Sequence, residues 1–275
     1  MPHPPFSVLM SVYQHDTPVH FRQAVESVTI KQTLQPAEVV LVVDGPLAPE
    51  LETTVRNLAR EIPAIKVVWL EKNTGLGNAL RIGMEQVSNE LVMRMDADDL
   101  SLPHRFEHQV AYMQAHPGCD AMGGQIEEFL DNESNIVGKR IVPCDNHAIY
   151  ARLKGRCPFN HVSVALSRTK VLAAGNYQDW PFDEDYYLWV RMAENGCRFA
   201  NLPETLVHVR VGDEMYARRG GWTYFISERK LQGYMLRHKM IAWPRYLFNV
   251  MARFAIQVML PHGIRGFFFR KLFRK

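Results

Sequence analysis

The sequence predicts an α/β fold: a Rossmann-like, mostly parallel sheet flanked by helices, with a helical, basic C-terminal extension. Three observations predict it. Short β-branched apolar runs alternate with amphipathic stretches up to about His116. The connections between them are short, and three of the runs end in polar clusters: Tyr13–Asp16, Asp44-Gly45 and Asp96–Asp99. Runs that are apolar throughout suit strands covered on both faces, as in a parallel sheet. The carboxyl ends of such strands share one sheet edge, where ligands bind in folds of this class.

Taken in order, Phe6–Tyr13 (FSVLMSVY) reads as a buried strand. Thr17-Pro18 opens an amphipathic helix to about Ile30, with Thr as cap and Pro in the first turn. Pro36 breaks the chain before a second strand, Glu38–Val43. Leu51, Val55, Leu58 and Ile62 recur at helical spacing. Lys66–Leu70 is a third strand, Asn73–Gly77 a loop and Asn78–Val87 a helix. The strand Leu91–Met95 follows, then a helix from Pro103 to about His116. Beyond residue 120 the alternation weakens. Ala121–Phe129 and Ile136–Ile141 read as strands around an Asp131–Ser134 turn, and His161–Leu166 and Val207–Val211 as further strands. Asp183–Asn195 reads as a helix opening on three acids. After Gly220-Gly221 the pattern is mostly helical.

The chain has 275 residues, 47% apolar and 22% charged, enough for one large domain and an appendage. The reading divides it into a main domain over 1–215 and a helical, basic region over 216–275. Cys119, Cys144, Cys157 and Cys197 show no CxxC spacing and read as thiols in a reducing compartment. Met1–Pro5 leads straight into a strand and does not read as a targeting segment. The net charge of +3 hides an asymmetry. Eleven of the 32 Lys/Arg and none of the 29 Asp/Glu lie between Arg229 and Lys275, so residues 1–228 carry 21 bases against 29 acids. The acidic body disfavours a nucleic-acid partner. Pro244, Arg245, Asn249 and Arg253 interrupt the apolar runs of Ile241–Leu260, so no spanning helix is expected there. Gly263–Lys275, with Phe267–Phe269, Phe273 and five Lys/Arg, fits an anionic membrane surface. The expected location is cytoplasmic, peripheral on the inner face of the plasma (inner) membrane.

The chemistry concentrates at Asp96-Ala97-Asp98-Asp99. On a strand, Asp96 and Asp98 would point to one side. Three carboxylates this close repel unless a cation joins them. Oxygen ligands of this kind suit Mg²⁺ or Mn²⁺, bound through one or two carboxylates plus substrate phosphates. An isolated DxDD is more often a solvated turn, and Asp44-Gly45 alone is more often a turn than a site. What shifts the balance is that the polar strand ends share one edge.

Together these stretches resemble the family 2 glycosyltransferases, which share the GT-A fold. The matching residues are Leu9–Tyr13, Val42–Gly45, Asn73–Leu80, Asp96–Asp99 and Glu184–Trp189, in the family's order, covering roughly residues 6–215. The finer resemblance is to bacterial exopolysaccharide and O-antigen transferases of the amylovoran-synthesis type. It implies an inverting transfer of a sugar, expected to be a UDP-linked hexose, from a nucleotide-sugar donor. The acceptor implied is a saccharide or polyprenyl-linked saccharide, in bacterial surface polysaccharide synthesis. Residues implied at the nucleotide sugar are Ser11, Tyr13, Asp44 (accepting the uracil N–H), Lys72, Asn78 and Asp96. Asp98 is implied as ligand of Mn²⁺ or Mg²⁺, with Asp96 and Asp99 assisting. The implied base is Asp185, with Glu184 second; acids also favour a helix N-terminus for its dipole alone.

His161, Trp180 and Trp189 are expected on the acceptor side, although such aromatics fit a core equally well. One departure stands out. Many members carry a histidine metal ligand in an Arg-x-His context after the last core strand; here the chain reads Arg210-Val211-Gly212, and His208 reads as structural. Arg218 and Arg219 are the expected substitutes for phosphate contact, and metal is expected to be loose without donor. The competing reading is a non-catalytic nucleotide-sugar or lipid-binding module on the same fold. Gln14-His15-Asp16 is not the Gly-rich basic loop of a nucleotidyltransferase.

Overall fold

The computed structural model describes residues 3–212 and 220–259. Arg218, Arg219 and the Gly263–Lys275 segment lie outside the described residues. In chain order the elements are β1 (Phe6–Val12), α1 (Pro18–Ser27), β2 (Glu38–Val43), α2 (Pro49–Glu61), β3 (Ile65–Trp69), α3 (Leu76–Gln86), β4 (Leu91–Met95), β5 (Leu100–Ser101) and α4 (Arg105–Ala115). There follow β6 (Ala121–Phe129), β7 (Ile136–Arg140), α5 (Asn146–Leu153), β8 (Ala165–Ser167), α6 (Arg168–Ala173), α7 (Glu184–Glu194), β9 (Phe199–Arg210), α8 (Trp222–Arg237) and α9 (Trp243–Phe254).

The nine strands among the described residues form one mixed sheet of order β3-β2-β1-β4-β8-β6-β9-β5, with β7 paired to β6. β3, β2, β1 and β4 are parallel, and the register sets Val12 beside Val43 and Met10 beside Met95. The chain winds outward from β1 in one direction through β2 and β3, then crosses to β4 on the other side. Their carboxyl ends therefore open on the crevice where the winding reverses. Alternation along β1 explains why both faces are covered. Leu9 joins Val40, Val42, Leu80 and Met84 in one apolar cluster. Val8, Met10 and Val12 join Phe21, Val25, Val55 and Phe106 in the other. Thr17 caps α1 by accepting the His20 N–H.

Several boundaries differ from the sequence reading. α1 stops at Ser27 rather than near Ile30. His161–Leu166 is not a strand: His161–Ser163 forms a 3₁₀ turn, and only Ala165–Ser167 pairs in the sheet. Local polar bonds hold that turn, with Ser163 Oγ donating to the Asn160 carbonyl at 2.9 Å and accepting the Gly124 N–H at 3.1 Å. Such side-chain bonds offer the backbone an alternative to a ladder. β9 runs from Phe199, well before Val207, because it pairs in parallel with nearly all of β6 through two register shifts.

The expected acceptor-side role of Trp189 is not what the fold gives. Its side chain is 0% exposed, with the Phe159 ring 5.1 Å away and the His161 ring 6.0 Å away. On α7 it occupies the centre of the core cluster, out of reach of any sugar. Leu231 and Met235 of α8, and Ile241 after it, belong to the same cluster, so the C-terminal helices are docked on the core. Asn249 of α9 donates to the Lys154 carbonyl and the Gln232 side chain at 2.8 and 2.7 Å. Among the described residues no helix is long and apolar enough to cross a membrane. Trp189→Ala is expected to destabilise the fold by about 3–5 kcal/mol, seen as a lower urea midpoint with unchanged slope.

Candidate active site

Three loops build one wall of the crevice. After β1, Asp16 accepts the Tyr13 N–H at 2.8 Å and returns its own N–H to the Tyr13 carbonyl at 3.0 Å, closing a tight turn. The Tyr13 ring is half-buried, edge-on to His15. After β2, Asp44 is buried, and both its oxygens are engaged. Oδ1 accepts from the Thr74 N–H (2.7 Å) and hydroxyl (2.9 Å), and Oδ2 from the Gly75 N–H (3.0 Å). Gly45, at φ 89°, crosses so near the Asn73 backbone that a Cβ could not be accommodated. The Asp-Gly pair thus fastens the glycine loop to the sheet edge. Asn78 is also turned inward, donating to the Thr74 carbonyl at 3.0 Å, while Lys72 is exposed at the loop's outer side and Ser11 is half-buried on β1.

β4 ends at Met95, so the carboxylates lie on a loop and strand alternation does not govern them. Asp96 is ion-paired to Arg94, a side chain buried within the sheet. Asp99 is buried and accepts the Arg210 N–H at 2.8 Å, while the Asp98 carbonyl accepts from Arg210 Nε at 3.2 Å. Asp99 therefore shapes the loop and is spent on Arg210. The carboxylates left facing the crevice are Asp98, Asp96 and Asp16. Burial, and then Asp96, push Asp98 up to about 6. Burial pushes Asp16 up to about 7, with Asp98 and Asp96 adding to it. Sequence reasoning missed Asp16 as a member of this set. The signal was available: the carboxyl ends of β1 and β4 are neighbours.

This all-oxygen set fits a hard divalent cation, and its mutual repulsion is the cost that a cation would relieve. Among the described residues no three His, Cys, Asp or Glu side chains converge tightly enough to hold an ion alone. His208 is no substitute ligand, because its two nitrogens face Glu133 (2.9 Å) and Glu127 (3.4 Å).

The second wall is the N-terminus of α7. Burial and then Asp185 raise Glu184 to about 7, and Arg94 and Asp96 are close enough to act on it too. Asp185 sits one residue further, accepting from Cys157 Sγ at 3.5 Å and from the Tyr186 N–H at 2.6 Å. It lines a 710 Å³ cavity between β7, α5, α7, α8 and α9. Burial raises Asp185 above the ordinary carboxylate range, outweighing the helix N-terminus. Gly77 lets the two walls meet, since a Cβ there would lie 2.8 Å from the Gln178 carbonyl and 3.2 Å from Glu184 Cβ. Trp180 packs at a tilt against Tyr187, ring centroids 4.2 Å apart, with its Nε1 buried and unpaired among the described residues. His161 donates to or accepts from the Tyr177 hydroxyl at 3.0 Å, and burial, then the Arg94 charge, holds it neutral.

Residues 7–175 match the family profile of Glycosyl transferase family 2. The chain belongs to that family. The amylovoran biosynthesis glycosyltransferase AmsE of Erwinia amylovora is 38% identical, covering 97% of this chain and 98% of the relative. An Escherichia coli UDP-Gal:alpha-D-GlcNAc-diphosphoundecaprenol beta-1,3-galactosyltransferase is 35% identical over 99% of this chain and 98% of its own. Among solved structures, Staphylococcus aureus TarS 1–349 in complex with UDP-GlcNAc superposes with TM-score 0.67 at 16% identity, covering 91% of this chain and 72% of that one. The mannosyltransferase PcManGT of Pyrobaculum calidifontis, in complex with GDP-Man and Mn²⁺, gives 0.64 at 16% identity, over 98% of this chain and 76% of that one. The fold is GT-A, and this family 2 member is a glycosyltransferase.

The acids of α7 carry a pH signature of their own. Glu184 titrates near 7 when folded against its ordinary 4.5, so the folded state binds this proton more tightly. That stability is fully present below about 4.5 and is lost as pH rises through about 7. Glu184→Gln is expected to leave the melting temperature nearly unchanged at acid pH and raise it by about 2–5 °C at pH 8, read by a thermal melt at both.

Proposed function

We propose that the chain is an inverting transferase that moves a hexose from a UDP-sugar to a lipid-linked saccharide acceptor during bacterial surface polysaccharide synthesis. The observation that carries this reading is the α7 N-terminus. Glu184 lies near enough to Arg94 and Asp96 to feel their charges, and Asp185, one residue on, lines the cavity. A group bound at the carboxylates and a group bound in the cavity would then meet at Asp185. The names of the relatives agree with the substrate classes: one is an amylovoran biosynthesis enzyme, and the other takes UDP-Gal and a diphosphoundecaprenol-linked acceptor.

In this reading Asp185 takes the proton from the acceptor hydroxyl, and its raised affinity for protons suits a general base near neutral pH. The hydroxyl oxygen forms the new bond to the sugar's anomeric carbon from the face opposite the departing diphosphate. The bond to that diphosphate breaks in the same displacement, so the configuration inverts. Asp98 and Asp96, with Asp16 beside them, would hold a divalent cation, Mn²⁺ or Mg²⁺, together with the donor phosphates. Bound there, the ion supplies charge stabilisation for the leaving diphosphate. Arg210 holds the loop that presents Asp98. Tyr13 would pack against the base, and Asp44 holds the loop of Thr74 and Gly75 that would border it.

Residues 1–215 would form the transferase domain, and 216–275 a helical, basic region that seats it on the inner face of the membrane. The exposed Trp243, Leu247, Phe248 and Met251 of α9 support that placement.

Two measurements test the reading. In a nucleotide-release assay with a panel of UDP-sugars, EDTA is expected to abolish turnover and added Mn²⁺ or Mg²⁺ to restore it. Asp98→Ala is expected to remove turnover under every metal condition. Asp185→Asn is expected to lower kcat by about 10²–10⁴ while Mn²⁺-dependent thermal stabilisation by UDP survives; unchanged transfer would overturn the base assignment.

A further inference from the structure

The cavity beside Asp185 holds more positive charge than its own acids balance. Arg253 is spent on Glu228 and, at 2.8 Å, on the Gly155 carbonyl. Arg140, Arg152 and Arg245 also line the cavity, yet none has an ion-pair partner among the described residues. Among the described residues the one side-chain bond of Arg140 is a long 3.5 Å contact to the Cys157 carbonyl, and its Nε is buried and unpaired, as is that of Arg152. Arg245 reaches over Gly155, where a Cβ would lie 3.0 Å from its Nη2, at the turn that follows Arg152. Burial, then the like charge of Arg140, makes the Arg152 charge harder to keep.

Unpaired guanidinium groups gathered in one concave site suit an anion with several oxygens, such as a phosphate, which they bind bidentately. The donor diphosphate belongs to the Asp96–Asp98 crevice, so this second site is for another anionic group. Part of the cavity's wall is apolar. Phe248 and Ala252 of α9, and Ile256 just beyond its end, line it, and Phe248 is 67% exposed. Trp243, Leu247 and Met251 continue that apolar surface at four-residue spacing, 47–62% exposed. An anion bound here would therefore emerge against a hydrophobic face.

We infer that Arg140, Arg152 and Arg245 hold a diphosphate carried by the acceptor lipid, with its hydrocarbon chain leaving along α9 through Phe248. The inference rests on the transferase reading and adds to it a second phosphate site, on the acceptor side. It fixes the acceptor's orientation: diphosphate at the arginines, sugar between them and Asp185. A volume of 710 Å³ falls in the range of small-molecule sites, about 300–1,000 Å³.

The test is calorimetric titration of the full chain in EDTA, which silences the donor crevice, with farnesyl diphosphate, inorganic pyrophosphate and farnesol. Farnesyl diphosphate is expected to bind at least about tenfold more tightly than either fragment, since charge and apolar surface both contribute. Arg152→Gln/Arg245→Gln should weaken it by at least about tenfold, and the exposed Arg245→Gln alone by about three- to tenfold, as loss of charge-assisted bonds predicts. The single variant covers the case in which the double one fails to fold. Equal affinity for pyrophosphate would overturn the lipid assignment, marking a site for free phosphate. Undiminished binding by the folded variants, or no binding by the wild type, would overturn the arginine site. Binding of UDP with Mn²⁺, measured in parallel, separates these failures from failure of the transferase reading itself.

Discussion

A cation inside the sheet underlies this site. Arg94 occupies a strand position whose neighbours are Val92, Met93 and Met95, and it is 2% exposed. A guanidinium there is costly unless paired, and the pairing is with Asp96, the first acid beyond the strand. Its Nε and Nη1 have no partner, so the ion pair is most of what compensates the buried charge. Breaking such a pair from one side is far worse than never having it. Asp96 is thus fixed in place by the requirements of the core below it. The field of Arg94 also reaches Asp98, Asp99, Glu184 and His161. One buried charge thus acts on Asp96, Asp98, Asp99 and Glu184 together.

The rest of the architecture gathers further carboxylates around that pair. The parallel half of the sheet brings Asp16 to the same edge, and β9 returns Arg210 to clamp Asp98 and Asp99 from the far side. The α7 N-terminus completes the set from the opposite wall. These groups are partly withdrawn from water and repel one another, which raises their proton affinity toward neutrality. A site so arranged is electrostatically unsatisfied on its own and gains from receiving cations. The arginine-lined cavity beyond Asp185 has the opposite polarity. In the proposed reading, two pockets of opposite sign, adjoining at the Glu184-Asp185 pair, would distinguish the phosphate that arrives with a cation from one that arrives without.

Much of this could be read in the sequence. Apolar runs and caps located the first four strands and their helices, because each is a local pattern with a strong period. The polar strand ends identified the crevice. What stayed hidden was set by contacts between distant residues. Trp189 follows two acids and two tyrosines, so it looked like a sugar platform, yet helical periodicity turns it into the core. That the oxygens of Asp44 also fasten a loop thirty residues away in sequence could not be read locally. Asp16 was passed over because its neighbours across β1 and β4 are 80 residues distant. Arg94 did leave a trace, as a charge in an otherwise apolar strand, since such a residue must have a partner. The three arginines assigned to the acceptor diphosphate come from β7, α5 and α9, and no spacing rule gathers them.

Gly77 has a consequence for how such an enzyme can diversify. Its missing side chain brings the donor loop and the acid pair of α7 into van der Waals contact, so these parts cannot be tuned separately. Changing the loop's backbone to admit a different nucleotide would shift the carboxylates that face the acceptor. Variation in donor preference is therefore mechanically linked to variation in acceptor chemistry. The cavity's outer wall, made of α9 and the β7 strand, is free of this linkage. Changes in the acceptor have an easier route there, which predicts that lineages of this architecture drift fastest in their C-terminal helices.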